Sequence, residues 1–220
     1  METSNSPAAI GWVGHLTLVR HGQTRYNAEG RFIGTTDLPL DRTGVDQARA
    51  VADWVVNLAN ANGVKYDAII SSPLQRARQT AAEFARRLLL PVSIEPQLIE
   101  RDYGKFEGLT RDQAKAKYGD ILDQYEAAKH KVTPPGGESI ASVEHRVRAF
   151  LHERLAKRYT SAKEIIIVTH LNGIRAFFHI LGLADWEVYG RPFNNMSVSR
   201  IRISETGCTF EFCDENAGPT

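Results

Sequence analysis

Arg20 and His21 end an apolar run, His15-Leu-Thr-Leu-Val19, and Gly22 follows them. Such a run reads as a buried strand, and open α/β sheets place their chemistry beyond the carboxyl ends of their strands. An Arg there presents a permanent fork of N–H donors to an oxyanion, and a His is a nucleophile or a proton carrier. Two further strand ends carry matching groups. Ser71-Ser72-Pro73-Leu74-Gln75-Arg76 follows the short run Asp67-Ala-Ile-Ile70, and Thr169-His170 follows Glu164-Ile-Ile-Ile-Val168. Arg20 and Arg76 on one sheet edge would suit a tetrahedral dianion. As neighbouring cations they would also keep an imidazole neutral, with its lone pair free to attack. Gly22 is expected to let the chain curl so that a ring nitrogen faces that anion, and Asn27 to donate an amide N–H to it. Taken alone, Arg20 and His21 read equally as a strand-edge Arg and a surface His; a satisfied core histidine is the lesser reading of His170.

The elements that must position these groups alternate between strand and helix patterns, which predicts an α/β fold with a parallel, doubly covered sheet. A helix is predicted from Thr43, with Thr43 as its cap. Its apolar positions Val45, Ala48, Val51, Ala52, Val55, Leu58 and Ala59 keep helical period, and Gly63 ends it. Ser72, Pro73 and Gln75 read as N-cap, first turn and capping-box partner of a second helix reaching about Leu90. A short strand follows at 92–94, and Glu100 opens a loop. Thr110 and Gln113 form another capping box, for a helix expected to stop at Gly119. The loop from Thr133 to Ser139 precedes a long helix, about 140–159. The run 164–168 is the clearest strand, apolar throughout as a strand buried on both faces should be. A helix at 172–181 closed by Gly182, then a strand pair at 198–203 and 208–212, complete one domain over 11–213. Residues 1–10 and 214–220 are read as flexible tails.

Bulk properties exclude several functions. The net charge of +1 gives no electrostatic case for nucleic acid or an anionic membrane, so any anion site must be local. Two cysteines, Cys208 and Cys213, make neither a disulfide framework nor a metal-ligand set, which points to reduced thiols and a cytoplasmic location. No run reaches the roughly 18–20 apolar residues of a bilayer span, and the first ten residues lack the parts of a signal peptide. The histidines at 15, 130, 145, 152 and 179 have no partners at ligand spacing, so no metal is expected.

Further motifs continue the pattern. Tyr26-Asn27, Phe32-Ile33-Gly34 and Asp37-Leu38-Pro39-Leu40 follow Arg20-His21-Gly22-Gln23-Thr24. Then come Thr43-Gly44-x-x-Gln47-Ala48, Ser71-Ser72-Pro73-Leu74-x-Arg76-Ala77-x-x-Thr80 and Glu100-x-x-Tyr103-Gly104-x-x-Glu107-Gly108. Pro135-Gly136-Gly137-Glu138-Ser139 and Val168-Thr169-His170 close the series. In this order they resemble the histidine phosphatase superfamily, in the branch holding phosphoglycerate mutases and related phosphatases. The resemblance implies a three-layer αβα sandwich with a mostly parallel, doubly covered sheet and a helical cap insertion, here about 103–135.

It also implies roles. His21 would attack phosphorus and become a phosphohistidine, while Arg20, Arg76, His170 and Asn27 would hold the phosphoryl oxygens. Glu100 would be the general acid for the leaving alcohol and then the base for water, work that calls for partial burial. Glu107 and Asp102 lie in the same loop as alternatives, and Glu138 is either a helix-start charge or a site residue. Gln23, Thr24, Ile33 and Gly34 would line the substrate side. Leu171 stands where the family often has Gly and would narrow the pocket. The basic residues after Glu100, including Arg101, Arg111 and Lys129, read mostly as a solvated face. The mutases' longer, Arg-rich insertion has no counterpart here.

The expected activity is therefore a metal-independent phosphatase for a small phosphorylated metabolite, needing no cofactor. The alternatives are a phosphoglycerate mutase primed by 2,3-bisphosphoglycerate and, in another class, a catalytically silent binding module. Nucleic acid and membrane are not expected partners, and the chain would be a monomer or a small homo-oligomer.

Overall fold

The computed structural model describes residues 10–214. The expected tails lie outside the described residues except at their inner ends. Ile10 is buried in the core and Asp214 is the last residue of a strand, so the domain takes in one more residue at each end than expected.

Strands β1 (Gly14–Arg20), β2 (Ala68–Ser71), β3 (Val92–Ile94) and β4 (Glu164–Thr169) pair in parallel. β5 (Val198–Ser204) and β6 (Gly207–Asp214) extend the sheet antiparallel, in the order β3-β2-β4-β1-β5-β6. The helices are α1 (Arg25–Ala28), α2 (Arg42–Ala61), α3 (Gln75–Leu88), α4 (Arg111–Ala127), α5 (Ile140–Ala149), α6 (Ala156–Arg158) and α7 (Leu171–Ile180).

Strand alternation builds the layers. Ile166 and Val168 of β4 point with Val19 and Ile69 to the side holding Val51, Val55, Ala77 and Ala81 of α2 and α3. Ile165 and Ile167 point with Leu16 and Leu18 to the side holding Val143, Val147, Ile174 and Phe177 of α5 and α7. Each such side chain taken from water contributes about 1.5–3 kcal/mol, so the continuous apolar run of β4 fixes it between two helical layers. The expected αβα sandwich is therefore observed. A third apolar cluster, of Tyr103, Phe106, Ala114, Leu122 and Tyr125, forms within residues 103–135. Among the described residues no helix is long and apolar enough to cross a membrane.

Four local expectations change. Helix α2 is capped by Asp41, whose Oδ1 accepts the Gly44 N–H at 2.8 Å, and not by Thr43. Helix α3 starts at Gln75 and its first N–H is capped from another loop, by Asp37 Oδ1 at 2.6 Å. Ser72 is not its cap: the helix begins three residues on, and the Ser72 hydroxyl accepts the Leu74 N–H at 3.4 Å and lies 2.6 Å from His170 Nε2. Helix α4 does not stop at Gly119. That glycine, at φ +27°, kinks the chain, and helix resumes because Leu122 and Tyr125 beyond it bury against Tyr103 and Phe106. The long helix after Ser139 carries a π-helical turn, Phe150–Leu155, between α5 and α6. A one-residue ladder shift of this kind leaves no mark in an amphipathic pattern.

Candidate active site

Register brings the three strand ends together. Arg20 lies beside Thr169, and Ser71 beside Val168, so His21, Ser72 and His170 leave the sheet as neighbours. The His21 and Ser72 amides donate to the carbonyls of Thr169 and Val168, at 3.1 and 3.0 Å. The rings of His21 and His170 are 5.0 Å apart.

His21 is oriented by its backbone. Its Nδ1 is 2.8 Å from the Gly22 carbonyl, an acceptor only, so Nδ1 carries the proton and Nε2 keeps a lone pair. Arg76 Nε donates to that Nε2 at 3.2 Å. The ring is 1% exposed, and burial first, then Arg76 and Arg20, hold its pKa well below the ordinary histidine value. Burial and the same cations depress His170 likewise. Both imidazoles are neutral at neutral pH, and His21 Nε2 is a nucleophile in waiting. Burial also lowers Arg20 and Arg76, each to about 10, which leaves both cationic.

Arg76 is fully buried and rigidly held. Its Nη1 and Nη2 donate to the carbonyls of Thr36 and Gly34, at 2.9 and 2.7 Å. Glu107 in turn accepts the N–H groups of Thr35 and Thr36, so it fixes the loop that fixes Arg76 and is not free to act as an acid. Gly34 packs against this carboxylate: a Cβ would stand 2.2 Å from Glu107 Oε1 and 2.4 Å from the Arg101 carbonyl. Gly22 is required for a reason other than the expected curl. Its φ is not positive, but a Cβ would stand 2.5 Å from the Gly44 carbonyl, where the chain after His21 presses on the start of α2.

Glu100 is 4% exposed and faces the cavity. Its Oε1 accepts the Arg101 N–H at 2.7 Å and the Asn172 Nδ2 at 3.2 Å. Asn172 also donates to Tyr103 Oη, at 2.9 Å. Asp102 instead closes a turn onto the Gly104 N–H, and Glu138 forms a two-toothed pair with Arg146. Neither lines the cavity, so Glu138 is a structural charge.

Of the expected site residues, Arg20, His21, Asn27, Ile33, Glu100 and Leu171 line one cavity of about 380 Å³. Arg76 and His170 are not among its lining residues: Arg76 meets His21 at Nε2, and the His170 ring lies 5.0 Å from the His21 ring. Asn27 Oδ1 is held by the Thr24 amide and hydroxyl and by Asn195, which leaves the Nδ2 end for other partners. Thr24 is buried as the cap of α1, Gln23 reaches Asp41, and Gly34 faces Glu107, so these three are scaffold and not cavity wall. Arg101 is buried rather than solvated: it donates to the carbonyls of Glu138, Lys129 and Val132 and lies over Tyr103 and Tyr125. Arg111 and Lys129 also line the cavity, with Arg175, Tyr103, Tyr125 and Phe193; Lys129 is half-buried, whereas Arg111 stays 61% exposed and paired with Glu126, as a solvated face predicts. Helical spacing with acids hid the first two. Arg175 sits in a run, Ile174 to Phe178, that otherwise reads as core. Among the described residues no group of three His, Cys, Asp or Glu side chains could hold a metal ion.

This arrangement can bind a tetrahedral dianion and attack it. The model of the histidine phosphatase superfamily (branch 1) matches residues 16–216. A 2,3-bisphosphoglycerate-dependent phosphoglycerate mutase of Methylobacterium sp. (strain 4-46) is 32% identical, over 92% of this chain and 98% of its own. The solved mycobacterial glucosyl-3-phosphoglycerate phosphatase complexed with VO3 is 26% identical and has a TM-score of 0.79, over 91% of this chain and 98% of its own. A phosphoserine phosphatase from Entamoeba histolytica, bound to phosphoserine, is also 26% identical, with a TM-score of 0.75 over 93% and 98% of the two chains. Members of this superfamily are phosphatases or mutases, and the chain belongs to the histidine phosphatase superfamily.

Proposed function

We propose that the protein is a metal-independent phosphatase of small phosphomonoesters, working through a phosphohistidine on His21. The observation that carries this reading is the neutral, backbone-oriented imidazole whose Nε2 lone pair faces Arg76, with Arg20 beside it and Glu100 in the same cavity. An entering phosphoryl group takes over the Arg76 Nε–H as it meets that lone pair. Arg20, Arg76 and Asn27 then hold its oxygens, and a further oxygen satisfies the buried Nδ1 of His170, which has no partner among the described residues. Two guanidinium groups supply the fixed charge that a metal ion supplies in other phosphatases.

In the first step Nε2 bonds to phosphorus as the P–O bond to the alcohol breaks, and a protonated Glu100 gives its proton to the departing oxygen. In the second, the Glu100 carboxylate takes a proton from water, the water oxygen bonds to phosphorus and the P–N bond breaks, releasing phosphate. The VO3 complex of the mycobacterial relative supports a site of this kind, because vanadate mimics a phosphoryl group. His21→Ala should lose turnover, which in the wild type persists in a chelator, and should lose acid-labile labelling from a ³²P-monoester. Unchanged turnover in His21→Ala would place the nucleophile elsewhere.

Identity to bisphosphoglycerate-dependent mutases favours a second reading, phosphoglycerate mutase. The solved phosphatases at 26% identity, with TM-scores of 0.79 and 0.75, support the first reading. The two separate in one assay with and without 2,3-bisphosphoglycerate. Release of phosphate without primer supports the phosphatase. Primer-dependent exchange of 2- and 3-phosphoglycerate with negligible release establishes the mutase.

A further inference from the structure

His21 and His170 are buried side by side, and each ring has one nitrogen held by a neighbouring oxygen. The two oxygens differ in kind. Gly22 offers His21 a carbonyl, which only accepts, whereas Ser72 offers His170 a hydroxyl, which can donate or accept. The protonation of His170 therefore depends on which way the Ser72 O–H points.

The hydrogen bonds around Ser72 fix that direction. Among the described residues its hydroxyl oxygen meets the Leu74 N–H at 3.4 Å and His170 Nε2 at 2.6 Å. The Leu74 N–H is a donor, so it takes up a lone pair of the hydroxyl and cannot receive its proton. Ser72 is 0% exposed, and a buried O–H without an acceptor is costly. Nε2 is the acceptor that remains, and it accepts only as a bare lone pair. Burial, then Arg76 and His21, hold the His170 pKa well below the ordinary histidine value, so the ring carries one proton. With Nε2 bare, that proton is on Nδ1. Nδ1 is itself buried with no hydrogen-bond partner among the described residues, a donor that awaits an acceptor.

The two imidazoles thus share a tautomer and offer opposite ends. His21 spends its N–H on the backbone and keeps a lone pair for attack, while His170 spends its lone pair on Ser72 and keeps an N–H. The reverse tautomer of His170 would meet an incoming phosphoryl oxygen, itself an acceptor, with a second lone pair. Ser72 is well placed to prevent this, because its own backbone is held on both sides. Its N–H donates to the Val168 carbonyl, and its carbonyl accepts the Ser71 hydroxyl, each at 3.0 Å.

We propose that Ser72 is a positioning residue for phosphoryl binding: its O–H donates to His170 Nε2 and holds the ring in the Nδ1–H form, ready to donate to a phosphoryl oxygen. This rests on reading the site as a phosphoryl site, and it adds what sets one of the groups that hold the phosphoryl oxygens there. It applies equally to a phosphatase and a mutase, so the primer assay above stays independent of it.

The test reads the tautomer directly, by long-range ¹H–¹⁵N correlation spectra of ¹⁵N-histidine-labelled protein at neutral pH. The His170 signals are assigned by their loss in His170→Asn. In the wild type, Nδ1 should show as the protonated nitrogen and Nε2 as the bare one. Ser72→Ala should move His170 toward the Nε2–H form, and its Kd for orthovanadate should rise about tenfold or more. Ser71→Ala removes the neighbouring buried hydroxyl and should keep the wild-type tautomer, which separates the effect from damage to the strand end. A wild-type His170 in the Nε2–H or doubly protonated form overturns the proposal with no variant needed. Ser72→Ala with tautomer and Kd unchanged overturns it as well. Tautomers as expected, with no vanadate binding to the wild type and no labelling of His21, would instead overturn the phosphohistidine reading and leave the Ser72–His170 assignment standing.

Discussion

At the scale of single residues, the site is a set of groups each fixed by another that does no chemistry. His21 takes its tautomer from the Gly22 carbonyl, Arg76 its position from a loop held by Glu107, and Glu100 its orientation from the Arg101 amide and Asn172. Glu100 is the residue whose role is most sharply testable, because the proposed mechanism asks it to serve both steps, and different substrates need it differently. A nitrophenolate leaves without a proton, whereas an alkoxide does not. In Glu100→Gln the first step should survive with p-nitrophenyl phosphate, and water attack should slow. The expected result is a burst of about one nitrophenol per active site followed by slow turnover. With an alkyl phosphate, kcat should fall by roughly 10²–10⁴-fold with no burst, the range general acid–base catalysis supplies. Equal losses on both substrates, with no burst on either, would assign the proton transfers to another group.

At the scale of elements, one buried cation ties the two ends of the cap segment together. Arg101 follows Glu100 in the chain and donates to three carbonyls, those of Glu138, Lys129 and Val132. Arg101→Met keeps much of the volume and removes every donor. Leaving these acceptors unanswered should cost about 3 kcal/mol or more, read as a lower urea midpoint. Hydrogen exchange should quicken in residues 111–132 before it does in β4. What the sequence made legible follows from this division. β1, β4 and the Thr110–Gln113 capping box could be read because apolar runs and caps are local signals, and Arg20, His21, Arg76 and His170 because strand ends are. Asp37 as the cap of α3, Glu107 as the brace of Arg76, and Arg101, Lys129 and Arg175 as buried or cavity cations could not. Their partners lie tens of residues away, and a charged residue at helical spacing looks the same whether its helix faces water or a cavity. The Gly22–Gly44 approach is of the same kind: a glycine states that space is short without naming what fills it.

At the scale of the whole molecule, a chain of net charge +1 concentrates cations at one sheet edge and cavity wall, and buries two imidazoles among them. This juxtaposition has a consequence for stability. His21 and His170 both have folded-state pKa values well below the ordinary histidine value, through burial first and neighbouring cations second. The unfolded chain therefore takes up these two protons at a higher pH than the folded one. Stability is full above about pH 6.5 and is lost as the pH falls below it, by about 1.4 kcal/mol per pH unit for each proton bound only by the unfolded state. Glu29, Asp53, Glu83 and Glu107, whose pKa values are lowered by hydrogen bonds from their partners against the opposing effect of desolvation, add to the loss only in the carboxylate range below. Urea unfolding at about pH 7 and about pH 5.5 separates the two contributions. The wild type should weaken clearly over that interval, and His21→Asn with His170→Asn should weaken much less, because neither replacement titrates. A double variant as pH-sensitive as the wild type would mean that the buried pair does not govern acid stability, and that the cations around it fail to hold it neutral.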